Sequence, residues 1–208
     1  MIREDALYVL SRTCDVLESL GKKYWIDSGT VLSAYRDKDI NVYDHDIDIR
    51  TPVDEWTVED IGELYKQLWL IGYSYFRDTG DSRIQISAIH KAAIMLDFKF
   101  VYFDDTDAWY FCFGEPQQTV LHMFERRFFD TLGTIELYGR EYPCPSPVEE
   151  YIEAHYGPDW REFKVRAEEA DWTDMSWDYM KDPPAVTTED EFLEKKGRRM
   201  WVLINRRE

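Results

Sequence analysis

The sequence has 208 residues, enough for one domain with its own hydrophobic core. Hydrophobic residues make up 44% of it and aromatic residues 16%, a composition typical of a folded protein and not of a disordered chain. The formal net charge of -17 would repel a polynucleotide backbone, so duplex nucleic acid is disfavoured as a partner, although a cation and a few local basic groups could still hold a mononucleotide.

Cysteine spacing and hydropathy exclude two further classes. Cys14, Cys112 and Cys144 lie far apart, without the spacing of a zinc site or a disulfide framework, so we expect three reduced thiols. The first five residues carry charges, and no apolar run approaches the roughly 18 residues that span a bilayer. We therefore expect no membrane span and predict a cytoplasmic protein.

The first predicted elements are a helix, a short strand and a second helix. Apolar residues recur at helical spacing over 4–20, and Gly21 follows as a C-cap. Residues 23–27 are typical of a short strand that a Ser-Gly turn breaks. Residues 30–35 then predict one or two helical turns, so the pattern is strand, glycine turn, helix.

The next predicted strand, 41–50, carries two acidic residues. It ends in Asp46-Ile47-Asp48-Ile49, where the period of two places both carboxylates on one face. The two Cα atoms of such a pair lie about 6.5 Å apart, close enough for the side-chain oxygens to converge. Like charges this close destabilise a fold unless a cation neutralises them. We therefore predict Asp46 and Asp48 as ligands of Mg²⁺ or Mn²⁺.

The glycine turn before that strand has the features of a phosphate site. Gly29 allows the backbone to approach a ligand closely, and the N–H groups at a helix start favour an anion. Ser28 and Thr30 could add hydroxyl donors. A phosphate site beside a metal site is what phosphoryl transfer requires.

The remaining elements are predicted from the same patterns. Helices are predicted at 58–70 and 148–156, and hairpins at 73–77 with 83–90, 92–103 with 108–113, and 133–138 with 141–144. The middle of the chain is therefore predicted to be mostly antiparallel sheet. We divide the chain into a catalytic domain, 1–165, and a helical or irregular extension, 166–208.

Two segments together resemble the LicD and fukutin-related family. The first runs from Tyr24 to Arg36 through Asp27-Ser28-Gly29-Thr30 and continues at 42–49; the second is the helix at 148–156 with its Tyr156-Gly157-Pro158-Asp159-Trp160 ending. The resemblance implies the nucleotidyltransferase (polymerase beta-like) fold. That fold is of the α+β class, with a mixed β-sheet, packed helices and a helical C-terminal portion.

The resemblance implies a third carboxylate and an arginine, and strand position adds a lysine. The superfamily has a third carboxylate on a neighbouring strand, which serves as a metal ligand or as a base, and Asp97 in the apolar strand 93–100 is our candidate. Lys99, two residues later on the same face, is predicted to contact phosphate. Arg36 matches the family's arginine and is predicted to contact the diphosphate or to hold the 44–48 loop.

The implied activity is metal-dependent transfer of a phosphate-containing group. The donor would be nucleotide-activated, such as CDP-choline or CDP-ribitol, and the acceptor a hydroxyl of a glycan or another molecule. Two alternatives stay open at this point. One is transfer of NMP from an NTP to a small molecule, a protein or a tRNA end, and the other is a non-catalytic nucleotide-binding protein.

Overall fold

A computed structural model describes residues 2–78, 85–114 and 118–163. Its helices are α1 Arg3–Ser19, α2 Ser28–Arg36, α3 Val58–Ile71, α4 Arg127–Asp130 and α5 Val148–Tyr156, with a 3-10 turn at Val53–Glu55. Its strands are β1 Trp25–Ile26, β2 Asp46–Pro52, β3 Tyr73–Asp78, β4 Gln85–His90, β5 Met95–Phe103, β6 Asp107–Gly114, β7 Gln118–Glu125, β8 Gly133–Leu137 and β9 Arg140–Cys144. No helix in these ranges is both long enough and apolar enough to cross a membrane.

Seven of the strands form one mixed sheet. Five follow the order β1-β2-β5-β4-β3, β6 pairs with the end of β5, and β7 pairs with β6. The central pair, β2 and β5, is parallel, while the other pairs are antiparallel. Parallel strands need a crossover connection, and α3 with the β3–β4 hairpin supplies it here. Strands β8 and β9 form a separate hairpin.

Most predicted elements are confirmed, with shifted ends. The helices predicted at 4–20, 58–70 and 148–156 are α1, α3 and α5. Helix α2 already begins at Ser28, so the predicted glycine turn is its first turn. The strand predicted from residue 41 begins only at Asp46, because the amides of Tyr43 and Asp44 donate to the side chain and the carbonyl of Asn41, which bends the backbone there.

The predicted hairpin of 92–103 with 108–113 is confirmed as the antiparallel pair β5–β6, but the pairing is short. Strands β5 and β6 share only the pairs Tyr102↔Trp109 and Phe103↔Ala108. The edges of β5 are already occupied by β2 and β4, so β6 reaches only its end. Instead, β6 pairs along its whole length with β7, a strand that the sequence analysis missed.

The other two predicted hairpins are confirmed as β3–β4 and β8–β9. The turn of the first lies outside the described residues, as does the predicted extension 166–208, so the domain boundary stays a prediction. Cys14 and Cys144 have free, buried thiols, while the side chain of Cys112 lies outside what the structure describes.

Helix α3 is held at both ends by local contacts. It begins with a capping box in which Thr57 and Asp60 satisfy each other's backbone N–H groups, and it ends at Gly72, whose φ is 112°. A Cβ at Gly72 would lie 2.8 Å from Nε2 of His90. Gly62, inside the same helix, has nothing within 4 Å of the corresponding position. The helix therefore tolerates a side chain at Gly62 but not at Gly72.

We expect Gly72→Ala to lower the free energy of unfolding by about 2 kcal/mol or more, because alanine is strained at this φ and its methyl group meets His90. Gly62→Ala is the matched control and should raise the free energy of unfolding by about 0.5 to 1 kcal/mol, since alanine is the better helix former. Urea unfolding measures both values. Equal effects of the two substitutions would contradict this account of the helix end.

Candidate metal and phosphate site

Three predicted ligands meet where β2 and β5 run side by side. The parallel register places Asp48 beside Asp97 and Arg50 beside Lys99. Asp46 precedes Asp48 by two residues and so faces the same side of the sheet. One carboxylate oxygen from each of Asp46, Asp48 and Asp97 lies within 4.8 Å of the other two. These three residues, which we call the acidic cluster, form a potential ligand set for one cation.

The two carboxylates on β2 are difficult to ionise together. Burial and, after it, the nearby Asp44 carboxylate raise the pKa of Asp46 to about 8. Burial also raises the pKa of Asp48 to about 8, with the charge of Asp46 as the next cause. Both effects penalise the charged form, and a bound cation would offset both.

Asp97 lies among cations and keeps its charge. Burial favours its neutral form, but the positive charges of Lys99 and Arg50 outweigh burial and lower its pKa. Lys99 forms an ion pair with Oδ2 of Asp97. The other oxygen, Oδ1, is buried, and no group among the described residues forms a hydrogen bond with it. An ionised, unsatisfied oxygen beside two further carboxylates fits a hard divalent cation such as Mg²⁺ or Mn²⁺.

Arg50 is a site residue that the sequence analysis missed. Its side chain is 1% exposed, and its guanidinium lies over the ring of Tyr110, 4.7 Å from the centroid. One nitrogen donates to the carbonyl oxygen of Asp97 at 2.8 Å; the other donates to Oγ of Ser28 at 3.0 Å and to Oδ1 of Asp48 at 3.3 Å. Arg50 therefore connects the acidic cluster to the start of α2. Arg50 follows Asp48 by two residues on β2, so the same alternation that singled out Asp46 and Asp48 places Arg50 on their face of the sheet.

The first turn of α2 lies against the carboxylates. A Cβ at Gly29 would lie 2.9 Å from Oδ2 of Asp44, so this carboxylate would have to move away from the helix, whereas the 3.5 Å to Oδ2 of Asp48 is an ordinary contact distance. Thr30 orients Asp48 at two points: its hydroxyl accepts from the Asp48 amide at 2.8 Å, and its own amide donates to Oδ2 of Asp48 at 3.4 Å. Asp44 is the second site residue that was missed.

Arg36 lies at the other end of α2 and not at the acidic cluster. Its guanidinium pairs with Asp37 at 2.8 and 2.9 Å and donates to the carbonyl oxygen of Trp160 at 3.3 Å. It also lies over the ring of Phe163, which packs on Tyr43 at 5.8 Å between centroids. These contacts connect Arg36 through Phe163 to Tyr43 in the 41–48 segment, and its predicted role in holding that loop stays a prediction.

Comparisons with known proteins agree with this geometry. The profile of the family described as "LicD/FKTN/FKRP, nucleotidyltransferase domain" matches residues 21–147, more than half of the chain. "Ribitol-5-phosphate transferase FKTN" from Macaca fascicularis and from Homo sapiens are each 28% identical over 185 residues, covering 88% of this chain. The match spans only 37% of the length of either relative.

Two solved structures show a more distant likeness. The lincomycin-bound lincosamide antibiotic adenylyltransferase LnuA is 17% identical with a TM-score of 0.42, and the match covers 67% of this chain and 79% of that one. The antibiotic-resistance factor ANT(2'')-Ia is 16% identical with a TM-score of 0.47, over 70% of this chain and 67% of that one. The residues matched by the family profile include both the Ser28-Gly29 turn and the acidic cluster. On the basis of this match, the chain belongs to the LicD/FKTN/FKRP nucleotidyltransferase-domain family.

Proposed function

We propose that this protein transfers a phosphate-containing group from a nucleotide-activated donor to an acceptor hydroxyl. The observation that carries the proposal is the convergence of Asp46, Asp48 and Asp97 against the N-terminal turn of α2. A cation site and an anion site are then neighbours, as a donor with a diphosphate linkage requires. Family membership supports the same class of chemistry.

The acidic cluster would hold a divalent cation, Mg²⁺ or Mn²⁺. When bound, such an ion neutralises charge on phosphate oxygens of the donor and of the leaving nucleotide. Asp97 suits the role of a ligand better than that of a general base, since its lowered pKa keeps it ionised and makes it a weak proton acceptor. Asp46 and Asp48 supply the other two carboxylates.

The first turn of α2 would bind the donor phosphates. Backbone N–H groups at a helix N-terminus favour an anion, and the Ser28 hydroxyl is held in place by Arg50 at 3.0 Å. Gly29 keeps the approach free of a side chain. Lys99, with its ammonium group beside Asp97, supplies positive charge on the same face of the sheet as the acidic cluster.

The proposal also names a class of donor and a class of acceptor. The resemblance to the family implies a CDP-linked alcohol as donor and a glycan or another hydroxyl compound as acceptor. The relatives that share the matched region are named ribitol-5-phosphate transferases, which supports a polyol phosphate as the transferred group. The cytoplasmic location stays a prediction from the sequence.

We expect the purified protein to release CMP from CDP-ribitol or CDP-choline in the presence of Mg²⁺ and a hydroxyl acceptor. Asp48→Asn should fold normally and lose more than about a hundredfold in rate, because a ligand is removed while its shape is kept. Asp105→Asn changes an exposed carboxylate in the β5–β6 turn and should leave the rate unchanged.

The products measured in this assay separate the alternatives. Pyrophosphate release from an NTP, without turnover of a CDP-alcohol, would replace the proposal with NMP transfer. Binding of a magnesium nucleotide without turnover of any donor would indicate a non-catalytic protein. Turnover by Asp48→Asn at the rate of the unsubstituted protein would exclude the acidic cluster as the catalytic site.

We expect Asp46→Asn to raise the melting temperature of the metal-free protein at about pH 9, because it removes one of the like charges that repel each other in the cluster. The increase in melting temperature on adding Mg²⁺ should shrink in the same variant, since a ligand has been lost. Differential scanning calorimetry with and without Mg²⁺ measures both. A lower melting temperature without metal, together with an unchanged response to Mg²⁺, would contradict the proposed site.

A further inference from the structure

Ser28, the first residue of the proposed phosphate site, has a backbone conformation that residues other than glycine rarely adopt. Its φ is 45°, in the left-handed region. This conformation is unfavourable in free energy for a residue with a Cβ, so surrounding contacts must stabilise it. Non-glycine residues held in this way occur often at ligand sites.

The carboxylate of Asp27 provides that contact. Asp27 is fully buried, and it accepts a hydrogen bond from the Ser28 amide at 2.5 Å. Its other oxygen accepts from Nε1 of Trp25 at 2.9 Å, which fixes the orientation of the carboxylate. The left-handed residue is therefore held by a buried acceptor that immediately precedes it in the chain.

Tyr151 completes the arrangement from a distant element. It lies on α5, is fully buried, and donates its hydroxyl hydrogen to Oδ1 of Asp27 at 2.5 Å. Burial and the adjacent Asp27 raise the pKa of Tyr151 well above its ordinary value, so the phenol keeps its proton. Its ring packs against Phe124 and Phe128 with centroids 5.0 and 5.6 Å apart, which leaves it little freedom to move.

The conformation of Ser28 also determines where its side chain lies. The Ser28 hydroxyl accepts a hydrogen bond from Arg50, and the same nitrogen of Arg50 contacts Oδ1 of Asp48. A chain of buried polar contacts thus runs from α5 through the start of α2 to the acidic cluster. It links the two sequence segments on which the family resemblance rests.

We propose that Tyr151 is a positioning residue for the donor phosphate, acting through Asp27 to hold Ser28 in its left-handed conformation. This inference rests on the proposed function, because it assigns the turn at Ser28 to the phosphates of a nucleotide. Tyr151 does not touch the substrate in this account. It holds the turn in its binding conformation beforehand, so that none of the binding free energy of the donor is used to form the strained conformation.

The test compares Tyr151→Phe with Tyr73→Phe. Tyr73 is a buried tyrosine whose hydroxyl also makes one buried hydrogen bond, to Thr13 at 2.9 Å, but on the side of α1. Both variants remove one hydroxyl from the core, so their loss of stability should be similar. We expect Tyr151→Phe to weaken binding of CDP with Mg²⁺ about tenfold by calorimetry, and Tyr73→Phe to leave it within about twofold.

A second pair of variants tests the mechanism itself. Glycine adopts a left-handed φ without cost, so residue 28 needs less support after Ser28→Gly. In that background the effect of Tyr151→Phe on CDP affinity should fall to about twofold or less, a non-additivity that general loss of core packing would not produce. Equal effects of Tyr151→Phe in both backgrounds, or equal affinities of Tyr151→Phe and Tyr73→Phe, would overturn the inference.

Hydrogen exchange separates this inference from the proposed function. If the unsubstituted protein binds no CDP with Mg²⁺, the proposed donor is wrong, but the amides of Ser28 and Gly29 still report on the turn. They should exchange faster in Tyr151→Phe than in Tyr73→Phe without any ligand, and equal exchange rates would overturn the role of Tyr151. Should Tyr151→Phe fail to fold, Asp27→Asn takes its place with the same expected results.

Discussion

The site depends on the balance of negative and positive charge on the adjacent parallel strands β2 and β5. Asp46, Asp48 and Asp97 lie together at positions that are largely shielded from water, where ionised groups are costly without compensation. Two cations, Arg50 and Lys99, come from the same strands and offset part of that cost. A divalent cation would offset the remainder. In the proposed function, this electrostatic imbalance favours binding of a metal ion, and the repulsion between the carboxylates lowers the stability of the metal-free protein.

Parallel pairing of β2 and β5 is what makes this compensation possible. In parallel register, residues at matching positions of the two strands are neighbours on one face, so the acids meet and the two cations lie one step further along. The opposite face carries Ile47, Ile49 and Phe98, all fully buried. One pair of strands therefore provides both the reactive face and the hydrophobic anchoring that keeps it rigid.

Local patterns in the sequence predicted which three carboxylates lie together and which helix turn lies beside them, but not the contacts of Arg50 and Asp44. The alternation around Ile47 placed Asp46 and Asp48 on one face, and the apolar strand around Asp97 singled it out as a buried acid. Strand β7 and its pairing with β6 were not predicted, because they depend on which strand edges are left free after β2 and β4 pair with both edges of β5. That is a property of the whole sheet and not of any segment.

The same limit explains what was missed around the site. Arg50 follows the same period of two as the aspartates, but only the folded structure shows that its guanidinium turns back towards Ser28. Arg36 belongs to a motif that suggested a contact with the diphosphate or with the 44–48 loop, whereas its guanidinium contacts the adjacent Asp37 and the distant Trp160 and Phe163. The partners of a long polar side chain depend on which groups lie near it in the folded protein, and spacing in the sequence does not predict them.

The central claim is that the three carboxylates share one divalent ion beside the first turn of α2. Anomalous diffraction from crystals grown with Mn²⁺ tests it most directly. The account predicts an anomalous peak about 2 to 2.3 Å from oxygens of Asp46, Asp48 and Asp97. An anomalous peak at another position only, or no peak at the acidic cluster at a saturating Mn²⁺ concentration, would contradict the central claim.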